Sequence, residues 1–202
     1  LATLYSFQNG KIQAVFGPHD SLDNQSPYYN LVKFLKSAKK SIYCSCYEFN
    51  LERIAQILAD KSETMPVDVI LGEKPKSSES PLESDQPWNA FEILYNSQVK
   101  LTIAENQSGI MHNKFCVVDS QKVWTGSANF TYTSMFRDFN NGVMLNNRQI
   151  ALDYLTEFKE EQNGHFGSDY APNPTPHPEV NMGATQAEIY FSPDDKVQSQ
   201  ML

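Results

Sequence analysis

The chain has 202 residues, 40% of them hydrophobic and 20% charged, and carries a formal net charge of −8. That is the scale of one domain of about 150–160 residues with a tail, long enough to build a core without disulfide support. No apolar run approaches the ~18 residues of a membrane-spanning helix, and the acidic balance runs against the basic footprint of most nucleic-acid enzymes.

Hydrophobic periodicity predicts a strand over 12–16, a helix over 28–38, a strand over 41–49, a helix over 51–61 and a strand over 67–72. A helix over 87–97 and a strand over 99–104 follow, then strands over 110–118, 122–126 and 140–146 and a helix over 147–162. Tyr28, Leu31, Val32, Leu35 and Ala38 share a helix face, as do Ile150, Leu152, Tyr154, Leu155 and Phe158, and both sets read as core stripes. Strands alternating with helices imply an α/β fold, a mixed β-sheet sandwiched between helices. The stretch 73–87 is rich in Ser, Pro and charge and reads as a loop.

Residues 1–163 are expected to form one domain. The proline-rich stretch 164–186 reads as a linker, with His165 and His177 solvated. His19, after a Gly-Pro turn, reads as a loop residue. Cys44, Cys46 and Cys116 fall in predicted core strands with no CxxC pair, which reads as free interior thiols rather than a disulfide framework or a metal site. On that ground a cytoplasmic location is favoured, with secretion left open.

The chemistry lies in His112-Asn113-Lys114-Phe115-Cys116-Val117-Val118-Asp119, followed by Gly126-Ser127-Ala128-Asn129. Alternate residues of a strand share a face, so His112 and Lys114 project together. Asp119 is an odd number of positions away, at the turn that ends the strand. It reads as a structural or supporting member of the motif, not a phosphate contact. Ser127 and Asn129 share a parity at the end of the next strand. An imidazole, an ammonium, a hydroxyl and an amide converging on one cleft suit a phosphodiester.

This pattern, His-x-Lys-x4-Asp followed by Gly-Ser-x-Asn, resembles the signature of the phospholipase D superfamily, and the likeness extends over about residues 12–162. The resemblance implies a phospholipase D/nuclease-like α-β-α fold and a metal-independent, cofactor-free phosphodiesterase in which two such motifs meet across a two-fold axis. One histidine attacks phosphorus to give a phosphohistidine while the other protonates the leaving oxygen. Carried onto this chain, His112, Lys114 and Asp119 are the catalytic motif, and Lys114, Ser127 and Asn129 bind phosphate. Gly126, Asn140 and Glu48 are supporting candidates. The family often has a glutamate where this chain has Asn140, and an amide lacks the charge to stabilise an imidazolium. Glu48 and Asp138 are the possible substitutes, although a strand-end carboxylate and a solvated loop acid are the readings favoured for them.

Ala14-Val15-Phe16-Gly17-Pro18-His19-Asp20 is echoed by Ile189-Tyr190-Phe191-Ser192-Pro193-Asp194-Asp195, so 187–202 is expected to begin a second repeat. The second histidine motif would then come from that repeat, or from the mate in a homodimer. For substrate, DNA or RNA is favoured, with a phospholipid head group the alternative and a non-catalytic half-domain used for binding or assembly a third reading. Lys33, Lys36, Lys39 and Lys40 form at most a solvated basic strip. Tyr132, Met135, Phe136 and Phe139 are candidates for the rim of the cleft, with core packing an equal explanation.

Overall fold

The computed structural model describes residues 4–20, 23–74, 87–104, 110–166 and 173–200. The predicted loop at 73–87 lies largely outside them. Ten strands and six α-helices are seen among these residues. In chain order they are β1 (Tyr5–Phe7), β2 (Ile12–Phe16), α1 (Pro27–Lys36), β3 (Ile42–Cys46), α2 (Glu52–Ser62), β4 (Val67–Leu71), α3 (Pro87–Tyr95) and β5 (Lys100–Ile103). There follow β6 (Lys114–Val118), β7 (Lys122–Gly126), α4 (Tyr132–Phe136), β8 (Asn141–Asn146), α5 (Arg148–Gln162), β9 (Glu179–Asn181), β10 (Gln186–Glu188) and α6 (Val197–Gln200).

Eight strands form one mixed sheet in the order β1-β2-β8-β7-β6-β3-β4-β5. β3, β4 and β5 run parallel because α2 and α3 cross between them; the remaining pairs are antiparallel. Period-two alternation sorts the side chains between two cores. Cys44, Cys46, Val69, Cys116, Val118 and Trp124 pack against α1, α2 and α3 on one face. Ile70, Phe115, Val117 and Val123 pack against α5 on the other. The expected α-β-α sandwich is therefore what forms.

Local signals set the helices. The Ser26 hydroxyl caps α1 by accepting from the Tyr29 N–H, and Pro27 occupies the first turn, where its missing N–H costs nothing. Leu31, Phe34 and Leu35 then bury, each contributing about 1.5–3 kcal/mol of apolar transfer. Asn147 caps α5, accepting from the N–H groups of Gln149 and Ile150.

Two expectations are corrected. Cys44 and Cys116 stand directly opposite in the β3–β6 register, with Cα atoms 4.1 Å apart, and form a disulfide; only Cys46 is a buried thiol. This removes the ground on which a cytoplasmic location was favoured. Second, residues 173–186 are not an extended linker. β9 and β10 pair as a hairpin, and Val180, Met182 and Ile189 bury in the α5-side core. His177 is held by Asp153, which accepts from its backbone N–H at 3.0 Å and lies 2.8 Å from Nδ1. Proline content outweighed the alternation of Val180 and Met182 in the sequence reading. No helix among the described residues is long and apolar enough to cross a membrane.

Candidate active site

The antiparallel strands bring the carboxyl ends of β3 and β7 to the same edge of the sheet as the amino ends of β6 and β8. The chain beyond β3 stays zipped to its neighbours: Tyr47 N–H donates to Asn113 O, Phe130 N–H to Glu48 O and Asn50 N–H to Phe130 O. This bridge carries Glu48 alongside Asn129, and the Asn129 amide nitrogen donates to the Glu48 carboxylate. Gly72 makes room for the same corner. A Cβ there would stand 2.7 Å from the Tyr47 ring and 3.0 Å from Met111 O.

His112 sits on the entry to β6 with its ring edge-on to Tyr47, centroids 4.8 Å apart. Lys114 faces the same way, only 9% exposed, and its ammonium donates to His112 O at 2.8 Å while lying 5.2 Å from the Tyr47 centroid. An ammonium has three donors, so two remain for a phosphate. Desolvation, and then the Lys114 charge, lower the His112 pKa, while Glu48 opposes them. The imidazole is thereby biased toward its neutral, nucleophilic form. Desolvation also lowers the Lys114 pKa, opposed by Glu48 and then Cys46.

Ser127 follows from a pinch between β7 and β8. Gly126 and Gly142 are register partners; a Cβ on Gly126 would meet Asn141 O at 2.3 Å, and one on Gly142 would meet the Trp124 ring at 2.3 Å. Their bareness lets the Ser127 hydroxyl donate to Asn140 Oδ1 at 2.8 Å and accept from Asn141 N–H at 3.0 Å. Asn140 in turn donates to Ser134 O at 3.1 Å. Its amide therefore orients Ser127 and is committed to Ser127 and Ser134.

His112, Lys114, Ser127 and Asn129 thus lie along one edge of the sheet. Asp119 does not join them. It lies at the far end of β6, about 17 Å from Lys114 at ~3.4 Å per residue. There its carboxylate accepts from the backbone N–H groups of Lys39, Lys40 and Ser41 at 3.0, 2.7 and 3.1 Å. Glu48 is the reverse case: it belongs to the site rather than being an idle strand-end acid. Asp138 is solvent-exposed. Of the predicted rim, Met135 is buried and Tyr132 packs with Phe136, while Phe139 is 93% exposed.

On the other face of β6, Asn113 donates to Glu157 and Glu161 at 3.0 and 2.8 Å. Burial, reinforced by the neighbouring acids, pushes Glu157 up to about 8, and burial pushes Glu161 up to about 7. These groups escaped sequence reading because carboxylates four apart on a helix resemble a solvated face. With Glu160 and Asp194 they line a cavity of about 810 Å³ that also touches His112. Lys114 faces away from this cavity, on the opposite side of β6 from Asn113.

The family described as "Cardiolipin synthase, PLD-like domain" matches residues 31–161. The chain belongs to the phospholipase D superfamily. This is a family of phosphodiester-cleaving and phosphodiester-transferring enzymes. The chain is similar to a phospholipase D of Rickettsia typhi, 29% identical over 141 residues, which cover 67% of this chain and 64% of that protein. Cardiolipin synthase 1 of Staphylococcus aureus is 26% identical over 135 residues, 66% of this chain but 26% of that protein. The chain thus spans less than two thirds of the length of these relatives. Among solved structures, Nuc of Salmonella typhimurium, a phospholipase D family member, superposes with a TM-score of 0.64 at 24% identity, over 76% of this chain and 94% of that one. At that identity the superposition speaks for the fold alone.

Proposed function

We propose that residues 1–163 form the catalytic domain of a metal-independent phosphodiesterase working through a phosphohistidine, with DNA or RNA as the favoured substrate. The observation that carries the reading is the convergence of His112, Lys114, Ser127 and Asn129 on one sheet edge. The neutral imidazole of His112 attacks phosphorus, forming a P–N bond as the ester oxygen leaves. A second histidine, from a mate or from a repeat beginning near residue 187, donates the leaving group's proton. Water deprotonated by that second histidine then breaks the P–N bond. Lys114 and the Asn129 amide stabilise the charge developing on the non-bridging oxygens, the task a metal performs elsewhere.

A phospholipid head group is the second reading, favoured by likeness to a phospholipase D and a cardiolipin synthase; an alcohol would then replace water as acceptor.

Cleavage of bis-p-nitrophenyl phosphate in EDTA, with the solution mass measured alongside, tests the mechanism. Turnover that persists in EDTA and disappears in His112→Ala is expected. Equal turnover by His112→Ala sinks the mechanism. Single-stranded DNA, RNA and phosphatidylcholine vesicles, assayed in parallel, separate the two substrate readings.

A further inference from the structure

We propose that Glu48 is the positioning carboxylate of this phosphate site, fixing the Asn129 amide and counter-charging Lys114 and His112 from the end of β3. The kinetic part of this inference rests on the phosphodiesterase reading; the electrostatic part does not.

Polarity is the first consideration. Among the described residues, Glu48 is the one carboxylate hydrogen-bonded to any of His112, Lys114, Ser127 and Asn129. An ionised carboxylate only accepts, so an amide beside it must turn its nitrogen toward it. Asn129 does so, although its own Oδ1 is then buried without a partner. Leaving such an atom unsatisfied is costly, and a charged acceptor on the nitrogen side offsets that cost. The amide's second N–H stays available to a phosphate oxygen. Flipped, Asn129 would aim its carbonyl oxygen at one anion or the other.

Charge is the second consideration. Lys114 is nearly buried and desolvation works against its protonation, while desolvation and then the Lys114 charge work against protonation of His112. Glu48 acts on both groups in the opposite sense. It therefore works in favour of the ammonium on Lys114 and of a protonated His112. Asn140, committed to Ser127 and Ser134, supplies neither effect.

The decisive experiment is imidazole NMR of the whole chain without substrate, His112 being assigned by the resonance lost in His112→Ala. In Glu48→Gln, which keeps the shape and removes the charge, His112 is expected to titrate at lower pH than in the wild type. The kcat for bis-p-nitrophenyl phosphate should fall about 10- to 100-fold, the range for losing one positioned acid–base or electrostatic partner. KM should not rise, because a negative charge has left an anion site. A purely structural glutamate would weaken binding and rate together and leave the titration of His112 unmoved. A titration that stays in place or moves up overturns the proposal, whether or not the enzyme turns over. If it moves down in a wild-type background that cleaves no phosphodiester, the positioning role stands and the phosphodiesterase reading falls. Should Glu48→Gln not fold, Glu48→Asp withdraws the carboxylate by one methylene and is read by the same titration.

Discussion

Replacing Asp119 by alanine separates stability from chemistry more sharply than any other change in the motif. Its carboxylate accepts from three backbone N–H groups that cap the turn into β3, those of Lys39, Lys40 and Ser41. At about 0.5–1.5 kcal/mol net per bond, three bonds are worth roughly 1.5–4.5 kcal/mol. Partial exposure lets water replace some of them, which sets the expected loss near 2 kcal/mol. For a domain of this size that is about 4–8 °C in Tm. Burial works to raise the Asp119 pKa, but the three N–H donors and Lys122 outweigh it and hold it below the usual carboxylate value. A depressed carboxylate contributes stability that is complete above its unfolded pKa, near 4, and is lost as pH falls through the folded value. The Tm gap between wild type and Asp119→Ala, measured by calorimetry, should therefore be full at pH 6 and close progressively below about pH 4. Specific activity of the folded fraction should stay within about threefold at 20 °C, since the group lies ~17 Å from Lys114. A hundredfold loss of activity with Tm unchanged would refute this reasoning and return Asp119 to the chemistry.

The acids behind β6 predict the opposite pH trend. Glu157 and Glu161 have folded pKa values of about 8 and 7 against ~4.3 unfolded, so wild-type Tm should fall as pH rises from about 5 to 8, and Glu157→Gln should flatten that slope. An unchanged slope in the variant would mean that Glu157 is not held protonated. The Cys44–Cys116 disulfide closes a 72-residue separation, for which chain entropy allows up to about 4 kcal/mol. Alkylation of unreduced, denatured protein should label one cysteine, Cys46, and reduction should lower Tm; three labelled cysteines would contradict the pairing.

Much of this arrangement was legible because it depends on parity and turns. The run from Lys114 to Val118 is uniformly buried, and the step of two from His112 to Lys114 fixed their common face before any sheet was built. The same rule set Asp119 apart. What escaped the sequence depends on register between distant strands. Cys44 faces Cys116 while Cys46 faces Lys114; a slip of two residues would exchange the partners without moving any side chain to the other face, so composition alone left three thiols. Glu48, a supporting candidate in the sequence, reads there as a strand-end carboxylate for a related reason. Its place beside Asn129 is set by backbone bonds from Glu48 and Asn50 to Phe130, eighty or more positions away, and such pairing leaves no local trace.

The two faces of β6 divide the work of holding His112, the proposed nucleophile. Among the described residues the His112 ring has one aromatic partner, the edge-on Tyr47, so the backbone that carries it contributes much of its placement. That backbone is gripped on both sides. Lys114 reaches back to His112 O from the catalytic face, and Asn113 is clasped by Glu157 and Glu161 on the other. The clasp works best with the acids protonated, since two adjacent buried anions would repel each other. Burial therefore destabilises the charged form of the clasp while leaving the strand entry anchored at neutral pH. Among the described residues no hydrogen bond is made to either ring nitrogen of His112, which suits the proposed role of attacking phosphorus and exchanging a proton.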